Sequence, residues 1–249
     1  MANDTNDAVL EVENISVAFD GFKAIDKLSL RVAERELRVI IGPNGAGKTT
    51  LLDIICGKTR PDDGMVFYRG IDLTRLEEFR ITRLGLARKF QTPSIYENLS
   101  VFENFVLSIP RGRGVVGSLF FRTDAAVQDL VIQAAERVFL GTALHKKAAV
   151  LSHGQKQWLE IGMMLVQKPT LVLLDEPVAG MSSKERDATA TLLSSVAEEA
   201  AVVVIEHDMD FVRKIARRIT VMHQGKVLCE GTVEEVQRDP RVIEVYLGD

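Results

Sequence analysis

Cysteine is scarce in this chain: 249 residues hold two, Cys56 and Cys229. Two thiols make neither a disulfide framework nor a cysteine-based metal cluster, and such usage fits a reducing, intracellular setting. Long apolar runs are missing as well. A bilayer span needs about 20 apolar residues. The longest candidates, 115–121 and 200–205, fall well short, and Gly117 and Ser118 interrupt the first. Excess positive charge is also lacking. Lys and Arg number 31 against 35 Asp and Glu, a formal net charge of -4, which gives no support for a general nucleic-acid or anionic-membrane surface. The first seven residues are polar and acidic, unlike a secretory or transit leader, and a flexible tail is expected over 1–8. No internal repeat or low-complexity tract breaks the rest. Any membrane role is therefore expected to come through a partner.

What is present begins with Gly42-Pro43-Asn44-Gly45-Ala46-Gly47-Lys48-Thr49-Thr50. An apolar run at 37–41 precedes it and reads as a buried strand, and 51–56 after it reads as a helix. Strand, glycine loop, Lys-Thr and helix in that order form the Walker A phosphate cradle in its proper setting. The glycines let backbone N–H groups crowd a polyphosphate, and the helix N-terminus adds partial positive charge there. Lys48 can reach β and γ phosphates, and the Thr49 hydroxyl can ligate Mg²⁺. The pattern points to a nucleoside triphosphate. Cys56 falls on the apolar face of the helix and reads as a core residue.

Around this loop the chain reads as one α/β domain over 9–249. Alternating runs at 9–19 and 24–32, with a turn at Asp20-Gly21, suggest an antiparallel sheet at the front, joined by a strand at 65–68. From about 92 to 154 the pattern turns helical, with apolar spacing of three and four over 100–107 and 123–140. Short continuous apolar runs at 170–174 and 201–205 then read as parallel strands buried on both faces, with a helix over 184–199 between them. A hairpin over 218–230 and two short helices close the chain.

Two of these strands deliver polar groups at their carboxyl ends, where open α/β sheets bind ligands. Asp175 is suited to the Mg²⁺ shell and Glu176 to polarising a water as general base. His207 follows the 201–205 strand and can approach a γ phosphate from the side. Ser152 and Gly154, in Leu151-Ser152-His153-Gly154-Gln155, stand at a helix start and form a second anion-binding terminus. Taken alone that is an N-cap. Beside a one-nucleotide loop it makes sense if it serves a neighbour's nucleotide.

The order of these motifs, with Gln91 between the first and second, resembles an ABC transporter ATPase over nearly the whole chain. The resemblance implies a RecA-like P-loop core with an antiparallel β subdomain and a helical signature subdomain, ATP hydrolysis with Mg²⁺, and adenine stacked on Phe19. It implies that Gln91 senses Mg²⁺ and the attacking water and couples them to a membrane subunit. Ser152, His153, Gly154 and Gln155 would act in trans on the γ phosphate held by a second ATPase subunit, identical or different. Integral permeases, a periplasmic solute-binding protein acting indirectly, and a peripheral position on the cytoplasmic face of the inner membrane follow from it. Segments such as Arg88-Lys89-Phe90-Gln91-Thr92-Pro93 and Asp175-Glu176-Pro177-Val178-Ala179-Gly180-Met181 look like the branched-chain amino-acid importer branch, and within it the urea importers. Urea, with short-chain amides beside it, is thus the expected solute, and branched-chain amino acids are the alternative.

Two departures stand out. His153 occupies a position usually held by Gly, and Ser182 stands about where the family often has an acid, which puts that acid's cross-dimer contact in doubt. A soluble ABC ATPase acting on ribosomes or nucleic acid usually carries tandem cassettes or basic extensions, which this chain does not have. A P-loop GTPase would need a guanine-specifying Asn-Lys-x-Asp sequence, and none occurs.

Overall fold

The computed structural model describes residues 8–89, 95–110 and 124–247. The chain runs through β1 (Ala8–Phe19), β2 (Phe22–Ala33), β3 (Leu37–Ile41), α1 (Lys48–Ile55), β4 (Asp63–Tyr68), β5 (Ile71–Asp72), α2 (Glu78–Arg83) and β6 (Leu86–Lys89). Helices α3 (Val101–Ser108), α4 (Ala125–Arg137) and α5 (His153–Leu165) follow. It then forms β7 (Leu171–Asp175), α6 (Ser183–Val196), β8 (Ala201–Ile205), α7 (Met209–Ile215), β9 (Arg218–His223), β10 (Lys226–Gly231), α8 (Val233–Arg238) and α9 (Pro240–Leu247). Two compact units result: Met1–Arg88 with Thr170–Pro177 and Leu193–Asp249, and Lys89–Pro169 with Val178–Leu192.

The first unit is built on two sheets. One is antiparallel in the order β2-β1-β4-β5; the other has the order β10-β9-β3-β8-β7-β6, with β3 parallel to β8 and β9, and β7 parallel to β8. In β2, Leu28, Leu30 and Val32 are buried while Lys27, Ser29 and Arg31 are not, as alternation requires of a strand with one wet face. Every residue of β3, β7 and β8 is buried, which explains their unbroken apolar runs. Leu51, Leu52, Ile54, Ile55 and Cys56 of the α1 segment share one apolar cluster with residues of both sheets. The helix starts at Lys48 rather than Leu51, because left-handed Gly47 serves as its N-cap and Leu51 N–H already bonds the Gly47 carbonyl. Arg38 is the one large cation inside β3; Glu36, Glu230, Thr220 and the Arg31 carbonyl surround its guanidinium.

The second unit packs helices. Ser100 caps α3 and Ser152 caps α5, each in a capping box with the residue three positions on, Glu103 and Gln155. Helix α4 starts after Asp124, whose carboxylate accepts from Val127 N–H. It ends before Phe139, which adopts φ +61, so the helix is shorter than the 123–140 expected from periodicity. Gly162 of α5 lies directly against the Phe105 ring of α3, a contact no larger residue would permit. Trp158 donates from Nε1 to Thr189 Oγ1 at 2.9 Å, tying the middle of α6 to α5. Lys89 and Glu160 form a buried ion pair at 3.7 Å.

Candidate nucleotide site

The glycine loop leaves β3 in a conformation that only glycine tolerates at two points. A Cβ on Gly42, at φ +155, would overlap the Met222 carbonyl of β9, and one on Gly47, at φ +95, would overlap the Ala24 carbonyl of β2. The loop is thus held between neighbouring strands rather than free in solvent. Lys48 opens α1 and folds its ammonium back, donating to the carbonyls of Gly42 at 2.7 Å and Pro43 at 2.9 Å. Burial holds its pKa below the ordinary lysine value, against the pull of Glu176 and Asp175.

Parallel pairing through β8 brings the end of β7 beside this loop. Thr49 Oγ1 donates to Asp175 Oδ2 at 3.1 Å, joining residues 126 apart in sequence. Asp175 is 2% exposed, whereas Glu176, one residue later, leaves the strand with a half-exposed side chain. Its backbone is left-handed at φ +47, and its N–H bonds the Ile205 carbonyl at the end of β8. His207 places Nδ1 3.4 Å from Glu176 Oε1. The pair faces solvent, as groups that handle a water must. Thr49 and Asp175 together offer hard oxygen donors side by side, the set that a small divalent cation shared with phosphate oxygens takes, so the residues fit Mg²⁺. Among the described residues no cluster of three or more His, Cys, Asp or Glu forms an all-protein metal site.

One participant was not legible from the motifs. Glu206 is 1% exposed, and its Oε2 accepts the N–H of His207 at 2.9 Å and of Asp208 at 3.2 Å. This buried carboxylate shapes the turn that carries His207. The signal was an acid directly after a fully buried strand, overshadowed by the histidine beside it.

Phe19 ends β1 and pairs with Phe22 across the Asp20-Gly21 turn. The residue is 47% exposed, available to a flat ligand at the hairpin tip. In the second unit, Ser152 accepts Gln155 N–H at 3.2 Å, and Gln155 Oε1 accepts Ser152 N–H at 3.0 Å. His153 Nε2 bonds the Ala179 carbonyl at 3.1 Å and its ring lies against Gly180, so the imidazole at this departure is turned onto the segment after Glu176. Gln91 lies outside the described residues.

The ABC transporter family matches residues 25–179, and a second family, the branched-chain amino acid ATP-binding cassette transporter family, matches residues 226–249. The chain is similar to the probable branched-chain amino acid transport ATP-binding protein LivG of Methanocaldococcus jannaschii, 33% identical over 97% of this chain and 98% of that one. It is similar to the high-affinity branched-chain amino acid transport ATP-binding protein BraF of Pseudomonas aeruginosa, at 32% with the same coverage. Among solved structures, the ADP conformation of an ATP-binding cassette of an ABC transporter superposes with a TM-score of 0.84 at 32% identity, covering 97% of this chain and 99% of that one. The described residues contain no helix long and apolar enough to cross a membrane.

Proposed function

The chain belongs to the ABC transporter ATP-binding proteins of the branched-chain amino-acid transporter type, and we propose that it energises the import of branched-chain amino acids. It is an ATPase of that family. The urea expectation drawn from local motifs finds no support among these relatives, whose names specify branched-chain amino acids. In this reading the chain pairs with a second ATPase subunit and docks on permeases at the cytoplasmic face of the membrane, with a solute-binding protein on the far side. Phe19 carries the adenine, a stacking contact of roughly 1–3 kcal/mol by analogy with nucleic-acid bases.

The observation that carries the chemistry is the meeting of Thr49, Asp175, Glu176 and His207 at the carboxyl ends of β3, β7 and β8. Amides from Gly42 to Thr50 cradle the phosphates, and Lys48 turns from its two carbonyls to the β and γ oxygens. Thr49 and Asp175, with Gln91, would hold Mg²⁺, which would supply charge neutralisation for the phosphates. Glu176 takes the proton of the attacking water, and His207 steadies the carboxylate and the departing γ phosphate. Ser152, His153, Gly154 and Gln155 complete the site of the facing subunit.

Replacing Glu176 by Gln in the assembled transporter is expected to leave ATP binding intact and to slow hydrolysis roughly 10²–10⁴-fold. In a strain lacking the chain, the unaltered protein should restore uptake of labelled leucine and Glu176→Gln should not. Restored urea uptake without leucine uptake would reverse the solute assignment; undiminished hydrolysis would remove Glu176 from its role.

A further inference from the structure

Helix α6 also begins with a capping box. Glu185 Oε2 accepts Ser182 N–H at 2.9 Å and Ser182 Oγ–H at 2.8 Å. These bonds, the backbone one foremost, hold the Glu185 carboxyl below its usual range, so it is ionised at neutral pH. The other oxygen has a different partner: Ser152 Oγ donates to Glu185 Oε1 at 3.4 Å. The same oxygen lies so close over Gly154 that a Cβ there would overlap it. One carboxylate therefore serves its own helix with one oxygen and the Ser152 turn with the other. That turn opens α5, a 13-residue helix whose N-terminus attracts negative charge. The arrangement is braced on both sides, by His153 on the Ala179 carbonyl and by Trp158 on Thr189.

We propose that Glu185 is a positioning residue that competes with the terminal phosphate of a facing subunit's ATP for Ser152 and Gly154, and so sets the ATP concentration at which two subunits engage. The inference rests on the reading that Ser152 acts on a neighbour's nucleotide. Two anions cannot share the Ser152 hydroxyl and the face of Gly154, so the arriving phosphate must turn the Glu185 side chain aside. Glu185 touches no reacting atom in this scheme. Its charge raises the KM for ATP and leaves the chemical step alone.

Glu185→Gln is the discriminating change, because glutamine keeps an acceptor oxygen for the α6 capping box and loses only the charge. In steady-state hydrolysis by the assembled transporter, KM for ATP should fall roughly 3–10-fold, the scale of one neighbouring charge near a wet surface, with kcat and melting temperature unchanged. In a Ser152→Ala background the substitution should lose this effect. An unchanged or raised KM in Glu185→Gln, while Ser152→Ala still depresses hydrolysis, overturns the inference and leaves the Ser152 reading standing. Wild-type hydrolysis by Ser152→Ala overturns that reading and the inference with it. If Glu185→Gln melts early, Glu185→Asp carries the test: one methylene shorter, it keeps a carboxylate for Ser182 and withdraws it from Ser152. The same fall in KM is expected, and its absence refutes the proposal.

Discussion

Lys48 is a cation with two carbonyl partners and a depressed pKa, which makes its charge conditional on pH. Burial disfavours the ammonium, and a bound polyphosphate restores it, so the pKa rises again on binding. The sign follows. ATP affinity attributable to Lys48 is complete below the depressed pKa of the free protein and declines as pH rises through it. Titrating ATP from neutral to alkaline pH should show that decline at a lower pH than an ordinary lysine would give, and Lys48→Met should flatten it. A decline at the ordinary lysine pH would mean that burial exerts no hold. Asp239 is also lowered, to about 2, but there the cause is Arg241, which bonds its carboxylate and favours the charged form, where burial disfavours the charge on Lys48.

Among the elements, β6 is the least typical strand of its sheet, because it carries consecutive buried cations. Arg88 reaches α1, with Nη1 2.5 Å from Asp53 Oδ1 and 2.9 Å from Cys56 Sγ. Lys89, on the opposite face by strand alternation, pairs with Glu160, both residues belonging to the second unit. Arg88→Met would leave the Asp53 carboxylate largely buried with, among the described residues, Lys58 at 3.5 Å to balance it. The expected loss is about 3 kcal/mol, at the low end for a broken buried pair, read as a lower denaturant midpoint. A midpoint unchanged from wild type would count against a structural role for the pair. Such ties explain what was legible in the sequence. Strands β3, β7 and β8 announce themselves because both faces are dry, and the β1–β2 hairpin because one face is wet. The glycine loop and Asp175-Glu176 follow from local order alone. Arg88 with Asp53, Glu206 under His207 and Glu185 beside Ser152 depend on side chains brought together by folding, and no periodicity reports them. The grouping of Val178–Leu192 with the helical unit is likewise written in tertiary contacts such as Trp158 with Thr189.

At the scale of the whole molecule, the site proposed here is one for a nucleotide and not for a solute. A solute reading therefore rests on likeness alone: local motif likeness pointed to urea, whereas the whole-chain relatives are named for branched-chain amino acids. One feature at the end of β7 also sets durability against turnover. Glu176 stands at φ +47, where a residue with a Cβ is disfavoured by roughly 1–2 kcal/mol relative to the right-handed region. Asparagine accepts that conformation more readily. Glu176→Asn should thus yield a protein that no longer turns over ATP yet melts about 2–4 °C higher, measured on the purified chain by calorimetry. A lower melting temperature would mean that the glutamate is at ease there. Selection for heat tolerance alone would then discard the proposed base, so the sturdiest version of this fold and its proposed working version part at this one residue.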